Sequence, residues 1–185
     1  MRPSTHVEPR DALAIARHYI RDLVYGANDG LITTFAVVAA VTGGALSPQA
    51  MLVVGVANLL ADGLSMGVGN YLSIRSHESA LAAQARPEEE AFPARHGVAT
   101  FCAFVVAGAV PLAPYALGAS NSVGFPLSVL LTFLTLFVVG ATRALVTTGC
   151  WWRAGGEMLL LGTLVASAAY GSGAVVGAMV GVTGE

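Results

Sequence analysis

Apolar residues in this chain run continuously, without strand-like alternation, through five stretches at roughly 23 to 43, 50 to 72, 98 to 118, 123 to 147 and 157 to 181. A hydrocarbon core of about 30 Å is crossed by about 20 helical residues, and a spanning barrel would alternate apolar with polar positions. The pattern predicts an all-α integral membrane protein with five transmembrane helices filling residues 23–181. Residues 1–22 mix Glu8, Asp11 and arginines with Leu13, Ile15 and Ile20 at helical spacing, which predicts an amphipathic lead-in helix running into the first span and not a cleaved signal. Residues 73–97 form a short linker between spans two and three.

The arginines set the orientation. Arg2, Arg10, Arg17 and Arg21 precede the first span, Arg75, Arg86 and Arg95 lie in or beside the linker, and Arg143 and Arg153 flank the connection between the last two spans. The loops on the other side, 42–49 and 118–122, carry no charge. The positive-inside rule then places the N-terminus in the cytoplasm and the C-terminus outside. Composition agrees with a membrane protein: 55% of residues are hydrophobic, 11% are charged, and lysine is absent. A net charge of −2 with no basic patch speaks against a nucleic-acid partner. Cys102 and Cys150 have no CxxC partner and read as small membrane hydrophobes, with no disulfide expected.

Polar residues inside the spans carry the functional signal. A carboxylate at the centre of a lipid span costs roughly 2.5 to 3.5 kcal/mol even on insertion scales, so Asp29 and Asp62 need a reason to be there. On span two, Asn58, Asp62, Met66 and Asn70 follow one another at four-residue spacing along one face; on span one, Asp22 and Asp29 are two turns apart with Thr33 a turn further. At about 1.5 Å per residue, Asp29 lies about 12 Å from Arg21 and Met66 about 13 Å from Arg75, so the two are expected at one depth, with Asp62 about 6 Å deeper. If the faces meet they form a column of carboxylate, amide, hydroxyl and thioether donors.

That mixture suits a borderline divalent ion, Fe²⁺ first and Mn²⁺, Co²⁺ or Zn²⁺ behind it, because thioether sulfur adds softness to hard oxygen ligands. A membrane carboxylate also exchanges protons, so metal entry and proton release compete at one site, as antiport requires. His6, His18, His77 and His96 all fall on or near the cytoplasmic surface, so no His-rich cage within the spans is expected. Duller roles stand beside these. Asp22 suits an interfacial charge or an entrance group, Asn58 and Asn70 suit interhelical hydrogen bonds or the pathway, Met66 by itself suits packing, and Asp29 and Asp62 could be neutral acids that hold helices together. Glycines at four-residue spacing, Gly26 and Gly30, Gly63 and Gly67, and Gly173, Gly177 and Gly181, predict close helix packing on spans one, two and five.

The run Arg21-Asp22-Leu23-Val24-Tyr25-Gly26-Ala27-Asn28-Asp29-Gly30-Leu31-Ile32-Thr33-Thr34-Phe35-Ala36 and the run Ala57-Asn58-Leu59-Leu60-Ala61-Asp62-Gly63-Leu64-Ser65-Met66-Gly67-Val68-Gly69-Asn70-Tyr71-Leu72 resemble the first two spans of the vacuolar iron transporter family, which includes the nodulin-21-like proteins. Pro111 to Tyr115, Gly140 to Ala144 and Glu157 to Gly162 extend the likeness. The resemblance implies five spans, a homodimer, and a metal path near the dimer interface that exchanges cytosolic Fe²⁺ for protons. By position it assigns Asp29 as the span-one metal carboxylate, Met66 as the span-two ligand and Asp22 as the acid seven positions earlier. Two departures stand out. Plant members carry Glu at the place of Asn58 and a small residue at that of Asp62, whereas here the acid stands one turn nearer the cytoplasm. The long Glu-rich cytoplasmic metal-binding segment of some members is replaced by the short linker, where Glu88, Glu89 and Glu90 read either as a residual metal-attracting patch or, preferred, as a solvated acidic loop.

The expected function is therefore divalent-metal transport, foremost Fe²⁺/H⁺ antiport out of the cytosol, with the metal as cargo and no tightly bound cofactor. The alternatives are a manganese or broad divalent-metal exporter and, in another class, a structural or regulatory membrane subunit. No nucleophile–base pair, phosphate loop or HExxH motif suggests an enzyme. Short loops and the lack of a targeting extension point to a bacterial or archaeal inner membrane.

Overall fold

A computed structural model describes residues 3–7, 9–146 and 149–180, without the side chains of 145, 146 and 180. Its five helices are α1 (Ala12–Gly43), α2 (Pro48–Ala83), α3 (Pro93–Ala116), α4 (Asn121–Val146) and α5 (Trp151–Val180). All five are long and apolar enough to cross a membrane. Local chemistry sets the starts. The Asp11 carboxylate accepts from the Ala14 amide at 2.7 Å to cap α1; the Ser47 hydroxyl accepts from Ala50 at 3.2 Å ahead of Pro48 at the start of α2; and Pro93 opens α3, where a missing N–H costs nothing.

The helices are longer than the apolar runs that announce them. Lead-in and first span form one helix, and α2 continues about three turns past Leu72, because hydropathy marks the part of a helix that lies in lipid and not where its hydrogen bonds stop. The linker proper shrinks to residues 84–92. Its backbone pairs with the N-terminal segment: the Thr5 amide donates to the Glu88 carbonyl and the Glu88 amide to the Pro3 carbonyl, both at 2.8 Å.

The core lies where α1 and α3 meet, with α2, α4 and α5 laid around them. Leu31, Phe35, Val38, Phe104, Leu112, Met51 and Leu136 are buried there, and the Ser128 hydroxyl of α4 donates to the Pro111 carbonyl at 2.8 Å. Glycine decides how close the helices come. Gly26 and Gly30 of α1 lie against the backbone of Thr100 and Phe104, Gly63 and Gly67 of α2 against Phe101, Phe104 and Gly97, and Gly173 of α5 against the backbone of Ala40. Gly181 lies outside the described residues. A Cβ on Gly30 would collide with the Phe104 carbonyl, which is backbone and cannot swing aside. Gly30→Val is therefore expected to lower thermal stability in detergent by about 1–3 kcal/mol or more. Gly171→Ala, with nothing within 4 Å, is the control and should melt like the parent. Equal melting of all three proteins would contradict this packing.

Candidate metal pathway

The glycine rows also aim the acids. α3 is the principal neighbour of both α1 and α2, which touch each other far less. Contacts along α3 advance with α1 (Gly26 to Thr100, Gly30 to Phe104) and retreat with α2 (Gly67 to Gly97, Gly55 to Leu112), so α1 and α2 are antiparallel on either side of it. Asp29 precedes Gly30 and Asp62 precedes Gly63, a step of about 100° around each helix. Because the helices run in opposite directions, these steps carry both carboxylates to the same open flank of α3. Both are half-buried.

The depth of each residue follows from the same contacts. Asp22 is level with Asn70, whose amide nitrogen donates to its carboxylate at 2.8 Å. Gly30 and Gly63 both meet Phe104, which puts Asp29 level with Asp62; Met66 lies one turn nearer the arginine-rich end, beside Gly67, and Asn58 one turn further away. The sequence spacing predicts Asp29 level with Met66, whereas the packing sets the two one turn apart. The prediction takes Arg21 and Arg75 to mark one depth, but α2 projects beyond the bundle and carries Arg75 about a turn past Arg21. Met66 is half-buried and packs against the main apolar cluster, and the Thr33 hydroxyl donates to the Asp29 backbone carbonyl at 2.7 Å.

Asp22 is 2% exposed and is the hub of a network at the arginine-rich end. Besides Asn70, it faces His96 Nδ1 at 2.6 Å and the Arg21 guanidinium at 3.8 Å. Asn70 also donates to the Thr100 hydroxyl at 2.8 Å, so one carboxylate ties α1, α2 and α3 together. His96, expected on or near the cytoplasmic surface, lies at the arginine-rich end but is buried in the first turns of α3. The signal was its four-residue spacing from Thr100, Phe104 and Gly108, the face of α3 that packs inward.

The acidic triplet does not behave as a uniformly solvated loop. Glu88 is held by its backbone pairing, and Glu89 is exposed beside His77 and Arg86 at 3.4 and 3.5 Å. The Glu90 side chain is 14% exposed and stands among His6, His18 and His96 at 3.4, 3.4 and 3.0 Å. Glu90 is enclosed because histidines from the N-terminal segment, α1 and α3 close around it. A polar cavity of about 400 Å³ opens beside this cluster, bordered by Arg21, Ser73, His77, Glu78, Glu90 and His96.

A model of the VIT family matches residues 20–94 and 84–174, nearly the whole helical bundle. The chain belongs to the VIT family. Curated VIT relatives include "Vacuolar iron transporter" of Toxoplasma gondii, 24% identical over 88% of this chain and 76% of its own length. "Vacuolar iron transporter 1" of Eucalyptus grandis is 23% identical over 88% of both chains, and "Vacuolar iron transporter homolog 5" of Oryza sativa subsp. japonica is 33% identical over 75% of this chain and 66% of its own. The first VIT match takes in Asp22, Asp29, Asp62, Met66, Asn70 and Glu90 together, and the second begins in the linker and carries on through α3 to α5.

Proposed function

We propose that this VIT family member is a divalent transition-metal transporter that moves Fe²⁺ out of the cytosol in exchange for protons. One observation carries the reading: two carboxylates, Asp29 and Asp62, lie level on opposite helices and face one open flank inside the apolar span, where each is costly unless a cation or a proton is its partner. The names of the relatives support iron as the cargo. The Met66 thioether, one turn toward the cytoplasm, supports a borderline ion over Mg²⁺ or Ca²⁺.

The arginine distribution supports a cytoplasmic N-terminus and an external C-terminus. The ion then enters at the Asp22–Asn70 level, passes Met66, is held between Asp29 and Asp62, and leaves past Thr33 and Asn58. Desolvation favours a protonated acid and the bound ion favours the carboxylate, so protons return as metal departs. The open flank supports a homodimer, in which a second copy closes the path and doubles its ligands. Short loops support a bacterial or archaeal plasma membrane.

Proteoliposomes under a pH gradient test this. Fe²⁺ flux coupled to proton counterflow is expected, and an absence of metal flux from correctly folded protein would overturn the reading. Comparing Fe²⁺, Mn²⁺, Co²⁺ and Zn²⁺ in one assay separates an iron carrier from a manganese or broad one. Met66→Leu preserves volume but removes the sulfur, so Fe²⁺ flux relative to Mn²⁺ should fall by roughly tenfold, about 1.4 kcal/mol of discrimination. An unchanged ratio would remove Met66 from the ligand set.

A further inference from the structure

His18, Glu90 and His96 converge where the polar cavity meets the bundle, and their ligand atoms lie within 4.8 Å of one another. His96 is the informative member. Its Nδ1 faces the Asp22 carboxylate at 2.6 Å and, since a carboxylate can only accept, Nδ1 carries the proton. In the neutral ring Nε2 is then a bare lone pair. It is buried, it makes no hydrogen bond, and Glu90 Oε2, another acceptor, lies 3.0 Å away. His18 Nε2 approaches the same oxygen at 3.4 Å.

Acceptors that converge in this way need a proton or a metal ion between them, and the spacing of this cluster suits a metal ion. With metal–ligand bonds of about 2.1 Å, neighbouring ligands stand about 3.0 Å apart in an octahedron and about 3.4 Å apart in a tetrahedron, so both measured edges fit a coordination shell. The ring of His18, a quarter exposed, can turn to close the third edge. Asp22 plays the outer-shell part, fixing the tautomer and orientation of a ligating histidine as carboxylates do in known metal sites. Glu90 is oriented from its other side by His6, whose Nδ1 lies 3.4 Å from Oε1.

We propose that His18, Glu90 and His96 form a second divalent transition-metal site at the mouth of the bundle, separate from the one between Asp29 and Asp62. Two imidazoles and one carboxylate favour Fe²⁺, Co²⁺ or Zn²⁺ over Mg²⁺ and Ca²⁺. That the bound ion is cargo waiting to enter rests on the transport reading above; the site itself does not.

The full chain in detergent, carrying Asp29→Asn to weaken the membrane site, is titrated with Co²⁺ alone. Binding is followed by equilibrium dialysis and by the visible d–d absorption of bound cobalt. One Co²⁺ per chain with a nitrogen–oxygen spectrum is expected, and adding Glu90→Gln or His18→Gln should weaken it by at least the roughly 10- to 100-fold that loss of an outer-shell partner costs. Both substituted side chains keep their bulk and sit at the end of the bundle, and gel filtration checks that each variant is folded. Should the Asp29→Asn protein bind no Co²⁺, or should both added substitutions leave affinity and spectrum unchanged, the site does not exist. Cobalt binding that persists in a protein whose parent moves no metal would refute transport and leave this site standing.

Discussion

Asp29→Asn is expected to abolish metal flux in proteoliposomes while leaving the melting temperature close to that of the parent. The amide fills the same space, so the packing of Gly30 against Phe104 is undisturbed, but half of the facing carboxylate pair is gone. The loss should exceed the 10- to 100-fold typical of an outer-shell change, because Asp29 is proposed to bind the ion directly. The neutral side chain can neither balance the metal charge nor take up a proton, so proton counterflow should vanish with the metal. Flux near the parental rate would mean that Asp29 only holds helices together. A protein that misassembles, with no metal dependence in the parent either, would favour the structural-subunit alternative.

Asp22→Ala should give the opposite pattern, with loss of stability preceding any question of transport. Asp22 is buried and accepts from Asn70 while facing His96 Nδ1. Deleting its carboxylate strands the His96 N–H in the interior, at about 1–3 kcal/mol for a buried unsatisfied donor, while Asn70 keeps its bond to Thr100. Thermal melting should therefore fall clearly for Asp22→Ala and less for Asp22→Asn, whose carbonyl oxygen can still accept one of the two. Melting equal to the parent's would mean that the network does not tie the three helices. The two acids of α1 thus differ in kind. One is locked among protein partners, and the other faces an open flank.

What could be read from the sequence, and what could not, follows from the range of the forces involved. The five helices are legible because each apolar run is a local property of some twenty residues, and the glycine spacing on α1, α2 and α5 correctly marks the faces that pack closely. Relative depth is not local. It depends on how far α2 slides past α1, which α3 sets through Gly26, Gly30, Gly63 and Gly67, so a ruler laid from two surface arginines misses by a turn. The Asp22–His96 contact joins residues 74 positions apart, and Glu90 of the linker meets His18 of α1 and His96 of α3. Such polar clusters form from side chains on separate elements. No single stretch of sequence contains them.

The most direct test of the central claim, that the acids of α1 and α2 hold one ion between them, is anomalous diffraction at the cobalt edge from crystals grown with Co²⁺. A peak between the Asp29 and Asp62 carboxylates, within reach of the Met66 sulfur, is the predicted result. Saturating Co²⁺ with no anomalous density at that level, in crystals where both side chains are well ordered, would contradict it.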